Sequence, residues 1–299
     1  LVLWIGYLQW HIRARGNAAV AEPVVHNYGN IECRDAVLAW DALELAYDDA
    51  GQLRSRWNGR SFKPHPVTGE LVPDEAAQVP QWRYRGARRA EWPQADFIVG
   101  NPPFIGKLRM REALGDGYVE ALRGAWPAVP ESADFVMYWW HDAAQLVGSG
   151  QVERMGLITT NSLTMIFNRR VVQAALEGDA GDSKAGRAGD SAGAGGQADA
   201  ALILPNAQKS GGPSLPPSPA SAVPCHLEMA IPDHPWVDSA NGAAVRIAMT
   251  VLAAGIGEGV VQTVTDEKAG EHGEMSVQLS ECQGLIHADL KTGVNVTEA

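Results

Sequence analysis

Cysteine is scarce in this sequence: Cys33, Cys225 and Cys282 are the three copies among 299 residues. An odd number without C-x-x-C spacing excludes a disulfide framework and the usual zinc ribbons. A reducing, cytoplasmic setting is therefore expected. Long apolar runs are missing as well. The opening Leu1-Val2-Leu3-Trp4-Ile5 is soon broken by Gln9 and His11, so neither a bilayer span nor a secretory leader is expected. Positive charge is in deficit, with 24 Lys and Arg against 35 Asp and Glu and a formal net charge of -11. That balance excludes a chain that coats nucleic acid by bulk electrostatics, but it permits a local basic cleft. Three small basic groups occur: Arg83, Arg85, Arg88 and Arg89; Lys107, Arg109 and Arg111; and Arg169 with Arg170. Each reads equally well as a solvated face. No Gly-x-Gly occurs in the first fifty residues, and the chain opens on Leu1 inside an apolar pattern. The expectation is a partial chain.

What is present reads as strands alternating with helices, an α/β pattern. Leu1, Ile5, Leu8 and Ile12 share one face of a helix that stops at Gly16-Asn17. Asn30–Asp35 reads as a short strand ending in an acid, and Ala36–Tyr47 as partly helical. Residues 51–93 are rich in Pro, Gly, Arg and Trp. They form a long excursion with a small hairpin expected around Val67–Val72. Ala95–Gly100 suits a buried strand of a parallel sheet. Ser132–Val147 predicts a helix capped by Ser132, with Phe135, Trp139, Ala143 and Leu146 along one side. Gly156–Thr160 is the next strand, and Asn168–Leu176 the next helix.

Residues 178–224 turn to Ala, Gly, Ser, Pro and Asp and lose all aromatics. They read as a low-complexity, disordered insertion. The Gly193–Ala198 match to a dinucleotide fingerprint inside it is a chance match, since no strand precedes it. Strands follow at Leu227–Ile231 and Ala243–Leu252, then a hairpin at Val260–Val264. The domain division is thus 1–177 for the core, 178–224 for the insertion, 225–265 for returning core strands, and 266–299 for a polar tail or the start of a further region.

Asn101-Pro102-Pro103-Phe104 directly follows the Ala95–Gly100 strand. Open α/β sheets hold ligands at the carboxyl ends of their strands. Nucleobase amino groups are poor nucleophiles because their lone pair is delocalised into the ring. Two hydrogen-bond acceptors on the amino protons localise that pair and aim it. The Asn101 side-chain oxygen and the Pro102 carbonyl are such a pair. Successive prolines stiffen the turn that carries them. Phe104 offers a flat face for stacking an extruded base. The plain alternative is a strand-to-loop turn in which Asn101 caps something and the prolines only stop the strand.

Other constellations carry less. Cys225, His226, Asp233 and His234 fit no standard zinc spacing and read as a loop after a strand. His141 reads as a helix-face residue. Ser132 and Ser162 lack His and Asp partners for a triad. Tyr138, Trp139 and Trp140 read as core rather than as stacking platforms. Asn161, at the carboxyl end of a strand, is a candidate substrate contact or a helix cap.

Ala95–Gly106, "ADFIVGNPPFIG", resembles the catalytic motif of amino-group DNA methyltransferases of the N6-adenine type. The family includes the large methylases of fused restriction–modification and phage-defence systems. Residues 30–38, 132–147 and 156–172, together with "IPDHPWVDSANGAAVRIAMTVL", resemble further parts of the same domain, and "LWIGYLQW" its second helix. The resemblance implies a partial Rossmann-like sheet without its first βαβ unit. It implies S-adenosylmethionine as cofactor, with Asp35 and Ala36 at the cofactor's adenine. It further implies Asn101, Pro102, Pro103 and Phe104 as the catalytic turn, with Asn161, Lys107 and Arg109 near the substrate. The implied partner is double-stranded DNA with a flipped adenine, and a specificity domain or subunit would read the sequence. Methylation of RNA adenine or protein glutamine, and an inactive remnant, are the rival readings. Because the Gly-rich cofactor loop would precede Leu1, calorimetric titration of this chain with S-adenosylmethionine should show weak or no binding. Micromolar affinity would overturn the expectation of a partial chain.

Overall fold

The computed structural model describes residues 2–16, 31–178, 223–236, 245–269 and 275–293. It falls into two units, Leu1–Asp35 and Ala36–Ala299. The first contains helix α1 (Val2–Arg15), which ends at Gly16 in a left-handed conformation. Its apolar residues include the consecutive run Val2–Ile5 and the pair Tyr7-Leu8, which fall around the helix and form no single stripe. Ile5 and Ile12, on the face read from the sequence, are 46% and 51% exposed. The strand expected over residues 30–35 is not formed. Residues 31–35 are irregular and no described strand pairs with them, while Arg34 and Glu32 form an exposed ion pair. Asn30 itself lies outside the described residues.

The second unit is built on a mixed six-stranded sheet in the order β14-β13-β11-β12-β10-β9. Its strands are β9 (Phe97–Gly100), β10 (Arg154–Thr160), β11 (Cys225–Pro235), β12 (Arg246–Ala254), β13 (Gly259–Ala269) and β14 (Met275–Gly284). β9 runs parallel to β10, and β10 antiparallel to β12, which is antiparallel to β11. The carboxyl ends of β9, β10 and β11 and the start of β12 therefore share one end of the sheet. The expectation of a buried β9 is corrected. It is an edge strand, with Phe97 54% and Val99 86% exposed, because β10 is its one described neighbour. The polar tail expected from residue 266 is in part the β13–β14 hairpin. Ser276–Gln283 are all exposed, including Val277 and Leu279, which alternate with polar neighbours. The expected insertion at 178–224 lies almost wholly outside the described residues. At its neck Gly178 adopts a left-handed φ of 76° and approaches Pro224 so closely that a Cβ would lie 2.9 Å from the Pro224 nitrogen.

Helices α4 (Val136–Gly148) and α5 (Ile166–Glu177) pack on this sheet. The α4 stripe that faces inward is Val136, Trp140, Ala143 and Val147, all 1% exposed or less. Trp140 donates its indole N–H to Thr250 Oγ1 on β12 at 3.2 Å. Phe135 and Tyr138 are buried too, and Trp139 is half-buried against the core, so these aromatics are packing groups. No side-chain hydrogen bond caps α4 at its N-cap, Phe135, which replaces the Ser132 cap expected from the sequence.

The helix expected over 36–47 is replaced by β1 (Leu38–Ala39) and β2 (Ala42–Leu45). The excursion is an antiparallel ribbon of nested pairs. β2 pairs with β7 (Trp82–Arg85), β3 (Ser55–Trp57) with β6 (Gln78–Pro80), and β4 (Phe62–Pro64) with β5 (Leu71–Pro73). Pairing with an aromatic- and Arg-rich partner outweighs the helix propensity of Ala and Leu. The hairpin expected around Val67–Val72 is the tip of this ribbon. The ribbon's base lies against α3 (Asp116–Ala125), where a Cβ on Gly117 would sit 1.7 Å from the Trp82 carbonyl oxygen. Gly117→Ala should therefore cost about 1–3 kcal/mol, as overpacking does, read as a lower midpoint in urea unfolding.

β8 (Arg88–Arg89) brings Arg89 over the Trp126 ring at 4.4 Å and onto Gln145 at 2.8 Å. Burial there raises the Asp142 carboxyl to about 6, partly offset by Arg89. Burial, reinforced by Arg89, lowers the neighbouring His141 to about 4. For Asp142 the folded value lies above the unfolded one, so stability falls as pH rises from about 4 to about 6. His141 acts oppositely, losing stability as pH falls from 6.5 to about 4. Asp142→Asn should therefore melt higher than the parent at pH 7.5, by on the order of 2–3 kcal/mol. Thermal melts should show the gap closing towards pH 4.

Candidate active site

The turn after β9 combines two prolines of opposite placement. Pro102 is buried while Asn101 and Pro103 are exposed, and Phe104 is half-buried against the core. Pro102 thus anchors the turn and leaves Asn101 at the surface. No hydrogen bond from a described residue engages the Asn101 side chain, so it caps nothing. Its carboxamide oxygen is available to an incoming donor.

The segment after the turn is tied down by one carboxylate. Phe135 N–H donates to the Ile105 carbonyl at 2.9 Å. Lys107 N–H, at the start of α2 (Lys107–Leu114), donates to Asp134 Oδ1 at 3.0 Å. Asp134 Oδ2 accepts from Ser162 Oγ at 2.7 Å and from Asn168 Nδ2 at 2.8 Å. Asn168 Oδ1 in turn accepts the Asp134 N–H at 2.9 Å. Asp134 therefore caps α2 from another element, since Gly106 at its N-cap has no side chain to do so. It also links the start of α2 to the start of α5.

Beside this lies the end of β10. Thr160 and Ser162 hydroxyls meet at 2.5 Å. Asn161 Nδ2 donates to Asp233 Oδ1 at 3.1 Å, and Arg246 Nε donates to the same oxygen at 2.5 Å. Arg246, and then Asn161, hold the Asp233 carboxyl below the usual carboxylate range. Trp236, at 42% exposure, follows β11 at this same end of the sheet.

Of the residues expected from the sequence, Asn101, Pro102, Pro103, Phe104, Lys107, Arg109 and Asn161 all belong to this end. Asn161 caps no helix through its side chain, and its Nδ2 donates to Asp233 instead. Lys107 Nζ lies 4.5 Å from the Phe167 ring centre, and Arg109 is exposed. Asp35 closes the first unit, and Ala36 opens the second, its carbonyl accepting Trp92 Nε1 at 2.5 Å. The candidate metal cluster is pulled apart by β11. Cys225 and His226 start the strand, while Asp233 and His234 lie near its far end. Burial also raises the Cys225 thiol to about 11, which leaves it inert. A groove of about 470 Å³ lined by His226, Gly257, His287 and Asp289 opens beside that first end, away from the Asn101 turn. Asp134, Ser162, Asn168, Asp233 and Arg246 were not expected in these roles. Only Asp134 left a signal, as an acid just before a helix.

A family model, the MmeI DNA-methyltransferase domain, matches residues 1–171. The chain belongs to this family.

The MmeI-type match takes in the Asn101 turn, Asp134, Ser162 and Asn168, and ends before β11 and β12. No curated protein matches the chain. Among solved structures, the chain is similar to the type IIL restriction-modification enzyme MmeI in complex with DNA, with 17% identity and a TM-score of 0.41. That similarity covers 67% of this chain and 20% of the other, so the chain spans about a fifth of its solved relative. No described helix is long and apolar enough to cross a membrane.

Asp134→Ala would leave Lys107 N–H and the Ser162 and Asn168 side chains without their acceptor. Charge-assisted bonds of this kind are worth about 1.5–3 kcal/mol each. The expected outcome is a lower urea midpoint together with faster amide hydrogen exchange at residues 105–108.

Proposed function

We propose that the chain forms the base-positioning part of a DNA methyltransferase that modifies adenine at N6 within a restriction–modification system. Family membership supports the DNA-methyltransferase activity. The observation that carries the finer reading is the unengaged Asn101 carboxamide, held at a strand's carboxyl end on a stiff Pro-Pro turn.

In this reading an adenine leaves the duplex and stacks on the open part of Phe104. Its two amino hydrogens donate to Asn101 Oδ1 and to the Pro102 carbonyl. Both acceptors pull the nitrogen towards tetrahedral geometry and concentrate its lone pair. Because the Asp134 clasp and buried Pro102 fix the turn, little reorganisation is needed as charge develops. Asn101 is no base, so the amino proton departs after the new N–C bond has formed.

S-adenosylmethionine is the donor that the family resemblance implies, and it would supply an electrophilic methyl group. The described residues do not compose its pocket. Asp35 stands on an irregular segment instead of a strand end, and no Gly-x-Gly turn joins a described strand to a described helix. Recognition of a DNA sequence is assigned to a further domain or subunit.

Asn101→Ala, in the full-length protein, should reduce methyl transfer to DNA by about 10²–10³-fold, the loss typical of removing one preorganised polar contact. Transfer is read with isotopically labelled donor, and donor binding should be unchanged. Mass spectrometry of the digested DNA should show N6-methyladenine. Label in cytosine, RNA or protein, or undiminished transfer by the variant, would defeat the assignment.

A further inference from the structure

The site presents a feature that the chemistry at Asn101 does not use. Where β10 runs into α5, three consecutive apolar side chains face outward: Met165 at 67%, Ile166 at 59% and Phe167 at 39% exposure. Leu108, on the first turn of α2, is 88% exposed. These are not loose side chains. Their two helices are joined at their starts through Asp134, by Lys107 N–H on one side and Asn168 on the other. Asn168, Val171 and Val172 seat α5 in the core. The apolar group therefore sits on two pinned helix starts at the carboxyl ends of β9 and β10, the end of the sheet that carries the Asn101 turn.

Its surroundings are cationic. Lys107 Nζ and Arg170 Cζ lie 4.5 and 5.8 Å from the Phe167 ring centre. Neither helix has an acid in its first turn or a side-chain cap of its own. The nearby carboxylates are engaged, Asp134 by Ser162 and Asn168 and Asp233 by Arg246. An apolar ridge flanked by cations and by the amino end of α5 matches a stacked polymer with anionic edges. It does not match an acid-free apolar protein surface.

We infer that Met165 and Ile166, with Leu108 beside them, form a wedge that enters duplex DNA next to the extruded nucleotide, while Lys107 and Arg170 hold the flanking phosphates. The inference rests on the DNA reading above. Extruding a base costs unstacking and unpairing, and an inserted apolar side chain offsets that cost by filling the space left behind. Phe167 anchors the two cations instead of inserting.

The test compares binding of the full chain, without cofactor, to a fully paired DNA duplex and to the same duplex carrying one abasic site. The wild type should bind the abasic duplex about tenfold more tightly, since one stacking contact is worth roughly 1–3 kcal/mol. Met165→Ser/Ile166→Ser should lose that preference with an unchanged melting temperature. Lys107→Ala and Arg170→Ala should weaken both complexes equally, each lowering the salt slope by about one. Equal wild-type affinity for the two duplexes, or a preference retained by the double variant, would overturn the wedge and leave the DNA reading standing. Loss of both complexes in the double variant, with its melting temperature intact, would make the ridge a plain contact surface and also overturn it. Failure of the wild type to bind either duplex would overturn the DNA reading and the wedge together.

Discussion

The Asp134 carboxylate joins three pieces of chain that are remote in sequence: the start of α2, the Ser162 turn after β10, and Asn168 on α5. Each of its oxygens is occupied, and its own amide is held by Asn168. A half-buried charge would ordinarily disfavour folding. Here three donors replace the lost water, so the group rigidifies the loops around it. In the proposed chemistry the Asn101 turn needs this, because Asn101 and the Pro102 carbonyl can act as paired acceptors only if their spacing does not drift. The ridge of Met165 and Ile166 depends on the same clasp. The proposed base positioning and the proposed wedge thus share one anchor.

The rest of the fold serves that end of the sheet. β9 and β10 run parallel and deliver their carboxyl ends side by side, with β11 and β12 closing the row through Asp233 and Arg246. α4 contributes the wall beneath, where Trp140 and Tyr138 fill the core. The ribbon from β2 to β7 rests on α3 through the close approach at Gly117.

Local chemistry made part of this legible in the sequence. Pro-Pro after an apolar run marks a stiff turn at a strand end, and both the turn and the strand are there. α4, α5, β10, β11 and β12 were visible because their apolar periodicities are set by the neighbours they pack on. What escaped depends on partners far along the chain. The ribbon exists because residues 42–45 meet 82–85, and Ala-Leu-Glu-Leu alone reads as helix. β14 does alternate through Val277 and Leu279, but both are exposed, so no buried face marks it out. β9 has the composition of a central strand, yet stands at the edge of the described sheet. Among site residues, Asn101 was legible as a motif, whereas Asp134, Ser162 and Asn168 are ordinary polar residues until the fold brings them together.

The neck at Gly178 and Pro224 has a bearing on how this domain can change over time. Gly178 and Pro224 stand at almost the same point, beside the start of β11, at the end of the sheet remote from Asn101. Closing a loop whose ends already touch costs little more as it lengthens, because the entropy grows only with the logarithm of its length. A longer or shorter insert at this neck therefore leaves the Asn101 end of the sheet in place. The neck is a port at which peptide can be gained, lost or exchanged for a foreign module while the remote end of the sheet keeps its shape.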